Sequence, residues 1–139
     1  MAWHNADVAS RTSAPIEQPT VGEIDLSAVL SALADPVRLG IVAALAEHGA
    51  DVACGTFGLP VGKSTASWHF RVLRESGVLH QYDEGTRRLN QLRRTDLDAR
   101  FPGLLDLVLA QGRREDVPIL TTPNRAATAR PRSAAAPRR

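Results

Sequence analysis

Between residues 62 and 94 the chain carries its densest set of side chains able to meet an anion. Lys63, Arg71, Arg74, Arg87 and Arg88 are interleaved there with Ser64, Thr65, Ser67 and Trp68. A local cluster of this kind is the electrostatic footprint of a surface for a polyanion such as nucleic acid. Catalytic chemistry finds less material. Gly62-Lys63-Ser64-Thr65 imitates the end of a phosphate-binding loop, but the first glycine of that motif falls on Phe57, with Gly58 displaced by one. No apolar strand leads into it, and the loop depends on that context. His4, His48, His69 and His80 have no metal-ligand spacing, and the one cysteine, Cys54, stands alone. A soft-metal site needs several thiolates or imidazoles. No Ser/His/acid or Cys/His set can be assembled either. The expectation is a protein that is not an enzyme, with no metal and no cofactor.

The elements that must position the basic cluster can be read from periodicity. From Lys63 to Leu79, Ala66, Phe70 and Leu73 recur at helical spacing, with His69 and Val72 at the border of the stripe. Ser64 or Lys63 is expected near the N-cap, and Gly77 is suited to the left-handed residue that ends a helix. Val78 to Tyr82 suits a strand, Asp83 to Gly85 a tight turn, and Thr86 to Leu92 a returning strand. Upstream, Ile24 to Ala34 supports a first helix. Asp35-Pro36 stops it and starts a second, Val37 to Ala46, with Asp35 as cap and Gly49 at its end. Asp51 to Phe57 has apolar residues for a short third helix, weakened by Gly55 and Gly58. Downstream, Thr95 is suited to cap a new helix, which Pro102 either restarts or bends. The dense run Leu104, Leu105, Leu107, Val108 and Leu109 suggests burial on two sides, once in the domain and once against a partner. The fold class is therefore mainly α with a small β-hairpin.

Of the 139 residues, 1–20 and 113–139 are expected to be flexible tails, with 21–112 as the folded domain. The formal net charge of +2 is unevenly spread: the last 27 residues hold seven arginines against Glu115 and Asp116, while 21–112 is slightly acidic. The arginine tail therefore says little about the folded part. One cysteine excludes an internal disulfide framework. No apolar run is long enough to span a bilayer and the start lacks a secretory pattern, so a soluble cytoplasmic protein is expected.

The segments Leu33-Ala34-Asp35-Pro36-Val37-Arg38-Leu39, Ser64 through Leu79 and Glu84-Gly85-Thr86-Arg87-Arg88 together resemble the ArsR-type winged helix-turn-helix family of bacterial transcription regulators. The likeness covers roughly residues 24–110, and Ser67 to Leu79 is its strongest part. The resemblance implies a homodimer on a palindromic operator, with the helix at 64–76 as recognition helix and the hairpin as wing. It also implies repression relieved by an effector, such as a small molecule. On this reading Lys63, Ser64, Thr65, Ser67, Trp68 and Arg71 face double-stranded DNA, and Arg87 and Arg88 approach it from the wing. One of the two wing arginines must point aside if the strand alternates. Trp68 has two readings, stacking on DNA or folding onto a neighbouring helix. Arg38 either meets a phosphate or pairs with Glu23 or Asp35, and Arg93 and Arg94 extend the basic edge. The first and last helices form the dimer interface through Leu26, Val29, Leu30, Leu104, Leu105 and Val108. Metal sensors of the family use paired cysteines on the third helix or acid and histidine sets on the last. Here Cys54 stands alone, one residue out of place, and Asp96, Asp98 and Asp106 have no histidine with them. The effector is therefore expected to be non-metal. Three other functions remain open at this point: a winged-helix module that binds protein, a redox-responsive regulator using Cys54, and non-specific DNA compaction by the tail.

Overall fold

A computed structural model of the chain describes residues 15–120. Helix α1 spans Leu26–Leu33. Asp25 caps it, its carboxylate accepting from the Ala28 N–H at 3.0 Å. Ile24, expected inside the helix, therefore lies just before it, and is buried. Helix α2, Pro36–His48, starts on Asp35, whose Oδ1 accepts from the backbone N–H of Val37 at 2.8 Å and of Arg38 at 3.1 Å. Pro36 fits this first turn because its missing N–H would have had no partner there. Leu39, Ile41, Val42, Ala43 and Leu45 are all buried, so α2 is apolar around most of its girth and forms the centre of the core. Between α1 and α2 the chain bends by 96°.

The expected third helix over Asp51 to Phe57 is absent. In its place Val52–Ala53 forms strand β1, followed by a single 3-10 turn over Cys54–Thr56. Two glycines in four residues remove the helical propensity, and pairing with a strand from the hairpin offers the backbone a better set of partners. The chain then runs to helix α3, Lys63–Glu75. Strands β2, Leu79–Glu84, and β3, Arg87–Leu92, follow as the hairpin, and the sheet order is β1-β3-β2, all antiparallel. The two-residue turn is Gly85-Thr86, with Gly85 at φ 66°. Glycine first and a negative-φ residue second is the primed turn that matches strand twist.

Gly77 couples α3 to the core. Its φ is 88°, and a Cβ there would lie 2.6 Å from Ile24 Cγ1. Both the left-handed turn and the close approach of Ile24 require glycine. After the hairpin come α4, Arg94–Arg100, and α5, Leu104–Gln111. Thr95 lies inside the first turn of α4 and is not its cap, and Phe101 to Gly103 separate the two helices. Among the described residues no single helix is long and apolar enough to cross a membrane.

Two stretches assigned to the tails pack on the domain. Near the N-terminal end, the Gln18 side chain pairs with the backbone of Gln81 on the sheet edge, donating to its oxygen at 2.7 Å and accepting from its N–H at 2.8 Å. At the other end Val117 is buried, Phe57 bridges Ile119, and the Gly58 N–H donates to the Pro118 oxygen at 2.8 Å. Short hydrophobes among prolines and charges read as tail in sequence; here they cover α2 and the irregular 54–58 stretch. Residues 1–14 and 121–139, the remainder of the expected tails, lie outside the described residues.

Candidate nucleic-acid interface

Helix α3 separates into two faces. Phe70 and Leu73 are buried in the core, and the Phe70 ring packs tilted on Phe57 at 5.3 Å between centroids. Burying side chains of this size stabilises by about 1.5–3 kcal/mol each. Lys63, Ser64, Thr65, Ser67, Trp68 and Arg71 are exposed on the other face. Gly62, not Ser64, is the N-cap, and no side chain caps this end. The first-turn N–H groups are thus left open at this end, beside the exposed Ser64 and Thr65. Trp68 is 54% exposed. Arg71 lies over its ring at 5.9 Å and also pairs with Glu75 at 3.0 Å.

The hairpin brings Arg87 and Arg88 alongside. Arg88 is directly opposite Asp83 across the strands and grips it with Nε at 2.8 Å and Nη2 at 3.1 Å. This contact holds the Asp83 carboxyl below its usual range and the Arg88 guanidinium above. Arg87, one residue away on a pleated strand, points to the opposite face of the hairpin. Among the described residues it has no carboxylate partner within ion-pair distance.

Three other basic residues are absorbed by the fold. Arg38 donates from Nε to the Ala32 oxygen at 2.8 Å and from Nη2 to the Ser31 oxygen at 3.3 Å, closing the end of α1. Its Nη1 lies 3.1 Å from His69 Nδ1. Since a guanidinium only donates, Nδ1 is the acceptor and the imidazole is neutral. Burial pushes the His69 pKa down, and the Arg38 charge adds to this against an opposing effect of Asp35. The expected pairing of Arg38 with Asp35 is made through the backbone N–H rather than the guanidinium. Arg93 is bound to Asp96 and the Pro19 oxygen, and Arg94 to Asp98 and Asp106. Neither extends the basic edge.

Sequence reasoning missed the polar relay behind α3. Arg74 Nη1 donates to Gln81 Oε1 at 2.9 Å, Gln81 Nε2 donates to Asn90 Oδ1 at 2.7 Å, and Asn90 Nδ2 reaches the Val52 oxygen and Cys54 Sγ, each at 3.1 Å. Gln81 and Asn90 are both buried. The relay ties α3 to all three strands. The sequence carries no signal for it: only the structure shows Leu89 and Asn90 both buried on the central strand, with cover on both faces. Burial pushes the Cys54 thiol up, with the Asn90 hydrogen bond opposing it, so the reactive thiolate is disfavoured. Among the described residues no three His, Cys, Asp or Glu side chains converge as a metal site.

The expected dimer residues divide. Leu26 and Leu30 are 43% and 45% exposed, whereas Val29 and Leu105 are buried at 0% and 1%. Val29 and Leu105 belong to the protomer's own core and present no surface to a second copy. Leu104 and Val108 are half-buried, and Leu107 is exposed.

No family model matches the chain. Over 80 residues, 56% of this chain and 80% of the relative, it is 32% identical to YceK of Bacillus subtilis (strain 168), described as an uncharacterized HTH-type transcriptional regulator.

Proposed function

We propose that this chain, which belongs to the helix-turn-helix family of transcriptional regulators, is a homodimeric, sequence-specific DNA-binding regulator of the ArsR type. Membership of the family makes it a regulatory protein and not an enzyme. The observation that carries the proposal is the exposed face of α3 with its uncapped N-terminal end, set beside a hairpin that presents Arg87 and Arg88. Lys63, Ser64 and Thr65 lead that end into the major groove, where hydroxyls and the lysine meet phosphates or base edges. Ser67, Trp68 and Arg71 follow one turn on. Arg87 and Arg88 approach the backbone from the wing, Arg87 with its charge unshared and Arg88 with half its fork committed to Asp83.

Two copies join through Leu26 and Leu30, with Leu104 and Val108 at the margin. A two-fold dimer addresses half-sites about 34 Å apart, or a multiple of that. The protein acts as a cytoplasmic repressor, released by a non-metal effector. Support for ArsR type is the match of Leu33 to Leu39 and Ser67 to Leu79 to that family's pattern.

The test is selection of bound duplexes from a random pool, run in parallel for the wild type and Arg71→Ala. A palindromic consensus enriched by the wild type, and weakened or altered in the variant, is the expected result. No enrichment by the wild type sinks the proposal. Affinity for the selected duplex should also fall steeply with salt, since each phosphate contact releases counterions.

A further inference from the structure

Two recesses flank the hairpin. The larger, about 660 Å³, lies between the Gln18 segment and the β3–α4 junction. Its arginines, Arg93 and Arg94, are already engaged by carboxylates. The smaller, about 240 Å³, opens between α3 and the face of the hairpin that carries Gln81 and Arg88. We propose that this smaller recess binds a small organic carboxylate with a flat apolar body, and that the bound acid withdraws Lys63 and Arg88 from DNA. The second half rests on the DNA-binding function proposed above; the first does not.

Exposure orders the lining. Lys63 and Arg88 are exposed and form the rim, Ala66 is half-buried on the wall, and Phe70 and Gln81 are buried on the floor. The rim is cationic and under-neutralised: Lys63 has no carboxylate within ion-pair distance among the described residues, and Arg88 shares its charge with Asp83 alone. The floor offers the Phe70 ring and the wall the Ala66 methyl group, which suit a flat apolar body. Cys54, Gly55, Ser67 and Arg74 complete the lining. The volume is roughly that of eight waters, enough for a single substituted ring. Few deep polar groups, apolar walls and a charged rim are the common make-up of a small-ligand site.

Position gives the site its consequence. Lys63 and Arg88 belong both to the rim and to the surface assigned to DNA. An acid held between them neutralises charge that phosphates would otherwise meet, so acid and duplex compete.

The probes are benzoate and its uncharged isostere benzamide, titrated into the full chain and followed by amide resonances. Benzoate should move Gly55, Ala66 and Gln81 saturably, with benzamide at least about tenfold weaker, as loss of a charge-assisted hydrogen bond implies. Lys63→Gln, a surface change, should weaken benzoate about tenfold. Ala66→Leu should fill the recess and abolish binding. Benzoate should also raise the apparent Kd for the selected duplex. Equal binding of benzamide, no saturable shift, or shifts centred on His80 and Gln91 in the larger recess would each overturn the proposal. Saturable benzoate binding without duplex binding leaves the acid site standing and removes the DNA-binding function. Duplex binding without benzoate shifts does the reverse.

Discussion

At the scale of single residues, the neutral state of His69 and the exposure of Trp68 carry the sharpest consequences. His69 Nδ1 accepts from Arg38, and burial lowers its pKa below the ordinary 6.5. A base with a lowered folded pKa is protonated more readily when unfolded. Its contribution to stability is therefore complete above about pH 6.5 and is lost as pH falls through the folded pKa. Thermal melts from pH 8 to 5 should show the midpoint falling on the acid side in the wild type, with a smaller fall in His69→Gln. An equal fall in both would assign the acid loss elsewhere. Trp68 is more than half exposed, so Trp68→Ala should change the urea unfolding free energy by no more than about 0.5 kcal/mol. The same variant should lose affinity for the selected duplex in a fluorescence anisotropy titration. Asn90 is the opposite case. Replacing it by Leu takes the Asn90 partner from the Gln81 amide and from the Val52 oxygen, leaving the Gln81 amide only its 3.6 Å contact with Cys54 Sγ, and should cost about 1–3 kcal/mol in urea unfolding. The basic and hydroxylic residues of α3 were legible in the sequence because their spacing fixes their face. The fates of Arg38, Arg93 and Arg94 were not, because an arginine reaches partners several residues away and the sequence does not say which carbonyl or carboxylate lies there.

At the scale of elements, local rules held where caps and stops are strong. Asp35-Pro36 starts α2, and Gly77 ends the turn after α3, as their chemistry requires. Gly77→Ala should destabilise by more than about 1 kcal/mol, because it meets both a positive φ and Ile24. Calorimetry of the variant measures this, and an unchanged midpoint would mean that Ile24 moves aside without cost. The third helix failed because Gly55 and Gly58 leave its stretch little helical propensity, so the partner strand β3 decided its backbone. The α1 surface divides by burial. Leu30→Glu should give a monomer by sedimentation while leaving the protomer folded, since Leu30 is exposed at 45%; Val29→Glu should instead unfold it. A dimeric, folded Leu30→Glu protein would place the interface on another surface. Periodicity marks an apolar stripe on α1 and cannot say how much of its width one protomer uses for itself.

At the scale of the whole molecule, the edges of the domain extend beyond the compositional ones. A chain ending at Gln111 loses the buried Val117 and the hydrogen bonds that residues 115–120 make to the 56–58 stretch and Pro36. It should be less stable by at least the roughly 1.5–3 kcal/mol expected for burying one valine, read as a lower urea midpoint against a chain ending at Leu120. Equal midpoints would show that this segment only rests on the surface. What the sequence by itself determined was the first two helices, α3 with its two faces and the hairpin after it, because helical period, caps, turn glycines and side-chain charge are local properties. Tertiary structure alone decided which arginines remain unspent, which leucines the protomer keeps, and that a buried amide relay joins α3 to the sheet. Those outcomes depend on residues as distant in sequence as Pro19 and Arg93 arriving at one place, which no local pattern records.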